Sequence, residues 1–116
     1  MLIVEDEFLI ALELRMVIEE EGAAVEEAAS VEQGLRLVRN EANGGLPDVA
    51  VLDVRLGDEE VFPVADALVR RDVPFVFHSG HAAAAELTAR YPGTSVLSKP
   101  AVPERLIAAL ARRIVP

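Results

Sequence analysis

Val51-Leu52-Asp53-Val54 is a short apolar stretch interrupted by a carboxylate. A brief apolar run of this kind is typical of a buried strand, and Asp53 would then follow the strand at its carboxyl end. In open α/β sheets that edge is where ligands bind. The stretch therefore predicts a buried parallel strand that presents an acid at the functional edge of the sheet.

Three other predicted strands also run into charged or hydroxyl side chains. The strands and the residues that follow them are Leu2-Ile3-Val4 with Glu5-Asp6-Glu7, Phe75-Val76-Phe77 with His78-Ser79-Gly80, and Val96-Leu97 with Ser98-Lys99-Pro100. Parallel strands end at the same edge of a sheet. We therefore expect acids, a hydroxyl and an ammonium group to converge there.

Helix-forming segments alternate with the strands. Predicted helices run from Phe8 to about Glu21, from Ser30 onward, through Pro63 to about Arg71, from Ala82 to Arg90, and from about Pro103. The second of these begins with Ser30-Val31-Glu32-Gln33, which has the form of a capping box. A weak edge strand is predicted at Ala24–Glu27, one loop at Asn43-Gly44-Gly45 and Pro47, and a longer polar loop from Arg55 to Glu60. Right-handed crossovers and strands too apolar to face water then predict the fold class. It is α/β, a doubly wound five-stranded parallel sheet with flavodoxin-like strand order 2-1-3-4-5 and helices on both faces.

The composition predicts one compact domain spanning residues 1–116. The chain is 52% hydrophobic, so it can bury a core of its own. Its formal net charge of −9 disfavours binding to nucleic acids and anionic membranes, and favours protein partners. It has no cysteine, which excludes disulfides and thiolate metal sites. No apolar segment is long enough to span a bilayer, and we expect a cytoplasmic protein.

In the predicted strand order, Asp6 and Asp53 face each other where the chain reverses direction. Carboxylates this close either share a proton or are neutralised by a hard dication, and oxygen ligands suit Mg²⁺. A simpler interpretation of Glu5-Asp6-Glu7 is that these acids only start a helix. His78 and His81 have no evident third ligand, so we expect a structural or surface role rather than a zinc site.

Together these motifs resemble the receiver domain of two-component response regulators over essentially the whole chain. The matching segments are Val4-Glu5-Asp6-Glu7, Leu52-Asp53-Val54-Arg55-Leu56, Ser79-Gly80 and Ser98-Lys99-Pro100. The resemblance implies that Asp53 is the phosphoacceptor and also a Mg²⁺ ligand. The other ligands that it implies are Asp6, which binds directly, Glu5, which binds largely through water, and the carbonyl of Arg55. It also implies that Ser79 and Lys99 bind phosphoryl oxygens and that the peptide bond before Pro100 is cis.

The implied function is phosphoryl transfer from a phosphohistidine of a sensor histidine kinase to Asp53, with no enzymatic activity beyond the chain's own phosphorylation and dephosphorylation. The alternative is a pseudo-receiver that acts only as an interaction module. A phosphatase with an aspartyl nucleophile is disfavoured, because such enzymes need an added cap or a second acid two residues past the nucleophile, where this chain has Arg55.

Two departures from the common receiver pattern concern signalling. Val96 occupies a position, three residues before Lys99, where most receivers have an aromatic side chain. The segment from Pro74 to His81 resembles a subclass of mostly single-domain receivers with a Phe-Ala-Thr-Gly-Tyr-like motif, in which Ser79 replaces Thr and His81 replaces Tyr. Because residues 82–91 contain few large apolar side chains, we expect this segment to pack loosely and to carry the conformational change.

Overall fold

The computed structural model describes residues 1–39, 45–80 and 84–114. The predicted loop residues Asn43 and Gly44, as well as His81 and the expected start of a helix at Ala82, lie outside these ranges. In chain order the elements are β1 (Leu2–Val4), α1 (Phe8–Glu20), β2 (Glu26–Ala28), α2 (Val31–Arg39), β3 (Ala50–Leu52), β4 (Arg55–Leu56), β5 (Glu59–Glu60), α3 (Phe62–Arg70), β6 (Phe75–Ser79), α4 (Ala84–Arg90), β7 (Val96–Ser98) and α5 (Pro103–Ile114).

Five parallel strands form the main sheet in the order β2-β1-β3-β6-β7. Numbered along the chain, these five strands have the order 2-1-3-4-5. The predicted fold class is therefore confirmed, and the weak second strand lies at the edge of the sheet as expected, shifted to Glu26–Ala28.

Alternate residues of the central strands point to opposite faces of the sheet, and a hydrophobic layer covers each face. One layer joins Leu2, Val4 and Phe77 to α2, α3 and α4. The other joins Ile3, Val51 and Val76 to α1 and α5. The sheet is thus buried on both sides, as its apolar strands require. None of the described helices combines the length and the apolar character needed to cross a membrane.

The polar segment between β3 and α3 corrects one expectation. In place of a loop from Arg55 to Glu60, β4 and β5 pair as a short antiparallel hairpin. Gly57 turns the chain with a φ of 63°, a conformation that L side chains rarely adopt. The Gly57 N–H donates to Asp6 Oδ2 at 2.9 Å, and this bond ties the hairpin to the loop after β1.

The start of α2 is fixed by the predicted capping pair. The Ser30 hydroxyl oxygen accepts a hydrogen bond from the Gln33 N–H at 3.2 Å, and the Gln33 side chain accepts one from the Ala29 N–H at 2.8 Å. Farther along α2, a Cβ at Gly34 would lie 3.0 Å from a methyl group of Val64. The glycine therefore permits the close packing of α2 on α3.

Candidate functional site: an acidic cluster beside Lys99

The carboxyl edge of the sheet holds the residues that the sequence singled out. Glu5 follows β1, Asp53 follows β3, Ser79 ends β6 and Lys99 follows β7. Backbone hydrogen bonds extend beyond the strands at this edge, since Asp53 N–H donates to the Val4 carbonyl at 2.9 Å and Lys99 N–H to the Ser79 carbonyl at 3.0 Å. The hydrogen bonding between neighbouring strands therefore continues beyond the strand ends, where it fixes the backbone of Asp53 and of Lys99.

The Lys99 ammonium lies between two buried carboxylates. Its Nζ is 2.9 Å from Glu5 Oε1 and 3.0 Å from Asp53 Oδ2. Burial by itself lowers the pKa of Lys99, but the ion pairs with Glu5 and Asp53 outweigh this effect and raise the pKa above its ordinary value. Lys99 therefore remains cationic at this edge. The Lys99–Pro100 peptide bond is cis, as predicted.

Glu5 is the carboxylate most affected by its surroundings. Burial raises the pKa of Glu5 to about 7; Lys99 opposes this shift, and the neighbouring Asp53 reinforces it. Glu5 Oε2 also accepts a hydrogen bond from the Glu7 N–H at 3.2 Å. In the absence of a cation, Glu5 is consequently partly protonated near neutral pH.

Asp6 completes an acidic cluster with Glu5 and Asp53. One oxygen from each of the three carboxylates lies within 4.8 Å of the other two. Three carboxylates with no soft ligand are the donor set of a hard dication such as Mg²⁺. Asp6 is exposed while Glu5 and Asp53 are buried, so the cluster opens to solvent on the Asp6 side. The residues present therefore fit Mg²⁺.

Asp6 and Asp53 line an open cleft of about 770 Å³ at the carboxyl edge of the sheet. Asp6, Asp53, Arg55, Ser79 and Lys99 line it together with residues of α4. The cleft thus brings the predicted acceptor, hydroxyl and ammonium groups into one space. Arg55 stands two residues beyond Asp53, so the second acid of an aspartyl-nucleophile phosphatase is missing at that position.

These contacts also bear on the simpler interpretation that Glu5-Asp6-Glu7 only start a helix. Glu7 is the N-cap of α1, but its side chain forms no capping hydrogen bond. The Glu5 carboxylate pairs with Lys99, and the Asp6 carboxylate accepts a hydrogen bond from Gly57 of the hairpin, so both side chains have partners outside α1.

The sequence did not reveal the contacts of two buried residues near the site. His78 Nε2 accepts a hydrogen bond from the Ala101 N–H at 3.2 Å. Tyr91 packs against Phe62, Phe75 and Phe77 with ring centroids 5.6–6.1 Å apart. Two features of the sequence could have indicated these contacts. His78 is a polar residue within an otherwise apolar strand, and Tyr91 is a lone aromatic residue directly after α4.

The match to a family model decides the classification of the chain. The model of the response regulator receiver domain matches residues 1–111. The chain belongs to this family. Receiver domains are signalling modules that bind Mg²⁺ in an acidic pocket and interact with histidine kinases. A search of the curated proteins found no match.

Solved structures resemble this receiver over nearly its whole length. SdrG from Sphingomonas melonis Fr1 is 39% identical, with 98% of this chain and 94% of SdrG covered and a TM-score of 0.77. The non-phosphorylated HemR receiver domain from Leptospira biflexa is 30% identical, with 99% and 93% covered and a TM-score of 0.81. A receiver protein from Sinorhizobium medicae WSM419, 23% identical, has a TM-score of 0.84 with 97% and 91% covered and shows the fold alone.

Proposed function

We propose that this receiver accepts a phosphoryl group on Asp53 from a phosphohistidine of a sensor histidine kinase, and that residues 1–116 act as one domain signalling through protein contacts. The observation that carries the proposal is the position of Asp53. It lies 3.0 Å from the Lys99 ammonium and within 4.8 Å of both other acids, inside an open cleft. These are the surroundings that a carboxylate nucleophile needs.

In the transfer step, an oxygen of the ionised Asp53 carboxylate attacks phosphorus. The phosphorus–nitrogen bond of the kinase phosphohistidine breaks, and the imidazole nitrogen keeps the electron pair. The product is an acyl phosphate on Asp53. When water later attacks the same phosphorus, Asp53 leaves as a carboxylate and inorganic phosphate is released, so the modification is transient.

Lys99 and Ser79 hold the transferred group in this proposal. The Lys99 ammonium, already beside Asp53, pairs with one phosphoryl oxygen and offsets negative charge. Ser79 ends the adjacent strand and lines the same cleft, from which its hydroxyl donates to a second oxygen. Both residues orient the acyl phosphate rather than react with it.

Asp6, Asp53 and the carbonyl of Arg55 would hold Mg²⁺ directly, and Glu5 largely through water. When bound, the cation supplies positive charge that offsets the repulsion between the acids and the incoming phosphoryl group. Asp6 Oδ2 is already oriented by the Gly57 N–H. The hairpin therefore positions a ligand at the solvent side of the cleft.

The substitution Asp53→Asn tests the acceptor. With acetyl phosphate and Mg²⁺, the wild-type protein should gain one hydroxylamine-labile phosphoryl group, detected by intact mass. Asp53→Asn should gain none, because the amide is not a nucleophile of this kind. Asp48→Asn is the matched control, since Asp48 is exposed and precedes β3 at the opposite edge of the sheet.

Label on Asp53→Asn at the wild-type level would refute the assignment of the acceptor. If the wild-type protein responds neither to acetyl phosphate nor to fluoroberyllate with Mg²⁺ in NMR spectra, the chain is a pseudo-receiver. If the protein does respond, the rates of phosphoryl transfer from a panel of phosphorylated histidine kinases identify its partner kinase.

A further inference from the structure

His78 is a buried polar residue that the phosphoryl-transfer scheme does not use. It lies in β6 between Phe77 and Ser79 and is 3% exposed. Because side chains alternate along a strand, His78 points to the α1 and α5 face, opposite to Phe77. Its Nε2 accepts a hydrogen bond from the backbone N–H of Ala101 at 3.2 Å.

This hydrogen bond defines the state of the imidazole. An Nε2 atom that accepts carries no proton, so the ring is neutral with its proton on Nδ1. Burial lowers the pKa of His78, and the positive charge of Lys99 adds to that effect. Because the ring is neutral, its Nε2 atom remains available as a hydrogen-bond acceptor for Ala101.

The backbone of residues 99–101 is bound to two consecutive residues of β6. Lys99 N–H donates to the Ser79 carbonyl at 3.0 Å, and Ala101 N–H donates to His78. Pro100 has no N–H group. Both backbone donors of the segment therefore end on β6, one on each side of Pro100.

We propose that His78 is a positioning residue that fixes residues 99–101 and thereby holds the Lys99 ammonium against Asp53. The consequence for phosphorylation rests on the proposed function. His78 itself touches neither the phosphoryl group nor the acceptor. It acts through the backbone at Ala101, two residues from Lys99.

The test compares His78→Leu with His78→Gln. Leucine fills the buried space but offers no acceptor, whereas the glutamine amide oxygen lies the same number of bonds from Cα as Nε2. His78→Leu should slow phosphorylation by acetyl phosphate about tenfold, the scale of losing a supporting contact behind a functional group. His78→Gln should stay close to the wild-type rate. Should His78→Leu fail to fold, His78→Met replaces it, because its flexible side chain fills the buried space and its sulfur is only a weak acceptor.

NMR measurements follow the same variants without any phosphoryl group. In His78→Leu, the Ala101 amide should exchange faster with solvent, and the Lys99 Cε and Hε resonances should move toward the values of an exposed lysine. His78→Gln should restore both. If the wild-type protein responds neither to acetyl phosphate nor to fluoroberyllate, the proposed function fails, while these resonances still decide the role of His78.

Three results would overturn the proposal. His78→Leu could retain the wild-type position of the Lys99 resonances, His78→Gln could behave like His78→Leu in both assays, or a folded His78→Leu protein could be phosphorylated at the rate of a competent wild-type protein. Each of these results would show that the position of the Lys99 ammonium does not depend on His78.

Discussion

At the residue scale, the site has fewer positive charges than buried carboxylates. One ammonium, Lys99, is shared by Glu5 and Asp53, and both carboxylates are buried. Removing carboxylates from water is costly unless each is paired or protonated. The raised pKa of Glu5 is the consequence, because a bound proton neutralises the charge of Glu5 that the shared Lys99 does not fully offset.

The pH dependence of stability should report this proton. Between pH 4.5 and about pH 7, the folded protein retains a proton on Glu5 that the unfolded chain releases. The free energy of unfolding therefore loses on the order of 3 kcal/mol as the pH rises through that window. Glu5→Gln has no such proton, so its stability relative to the wild type should increase from pH 4.5 to pH 7. Urea unfolding in EDTA measures the difference.

Glu32→Gln provides the matched control for this measurement. Glu32 is exposed on α2, where it pairs with Arg36. Its substitution should change stability by the same small amount at both pH values. A difference between Glu5→Gln and the wild type that does not vary with pH would show that Glu5 is not protonated in the folded protein.

At the element scale, α4 is held mainly at its end. Among the helix residues Ala84–Arg90, Leu87 is buried, whereas Tyr91 follows directly and packs into the aromatic cluster. The Tyr91 hydroxyl donates to Asp66 Oδ1 on α3 at 2.7 Å. Loose packing therefore stays a prediction for Ala84–Arg90, where Leu87 is the buried residue, and it does not extend to Tyr91.

Tyr91→Phe should loosen α4 while keeping the ring in place. Loss of the hydrogen bond to a charged acceptor should cost about 1.5 to 3 kcal/mol. Amide exchange in residues 84–90 should then accelerate about tenfold or more, if these amides exchange by local opening. Hydrogen exchange measured by NMR tests this, with α5 as the internal reference.

Asp66→Asn is the companion variant for α4, because its amide oxygen can still accept from Tyr91. It should accelerate exchange in α4 less than Tyr91→Phe does. Equal acceleration in α4 and α5 would mean that the hydrogen bond stabilises the whole fold and does not hold α4 in particular.

The elements that the sequence predicted are those with local signals. Four strands of the main sheet were predictable as short apolar runs, whereas β2 gave only a weak signal. The start of α2 was predictable from its capping pair. Neither kind of signal depends on a distant residue. The hairpin of β4 and β5 had no such signal, since Glu59 and Glu60 disfavour strands. Its bond to Asp6 joins residues 51 positions apart. Likewise, the partners of His78 and Tyr91 lie 23 and 25 positions away.

At the scale of the whole molecule, the sheet topology concentrates charge. The strand order was predictable because right-handed crossovers and two buried faces leave few arrangements. That order sets β1 beside β3, and with them Glu5, Asp6 and Asp53. In a chain with a net charge of −9, the fold thus collects like charges at one edge. The distances between the carboxylates of the cluster depend on tertiary packing, which cannot be predicted from the sequence pattern.

Mg²⁺ should therefore stabilise the folded protein against heat. A cation that binds the native cluster but not the unfolded chain adds about 2.7 kcal/mol at one hundred times its dissociation constant. For a domain of this size, that gain corresponds to a rise of about 10 °C in the melting temperature. Asp6→Asn should lose most of the rise, because it removes one anionic ligand while its amide oxygen can still accept from Gly57. Calorimetry with and without Mg²⁺ measures both shifts.

The control for this experiment is again Asp48→Asn, which removes the same charge at the opposite edge of the sheet. It should keep the full Mg²⁺-dependent rise, because only the local cluster binds the cation. In EDTA, Asp6→Asn should melt no lower than the wild type, since it relieves repulsion among the three acids. Equal Mg²⁺ shifts in all three proteins would mean that the cation screens the overall charge of the molecule, and the cluster would then not be its site.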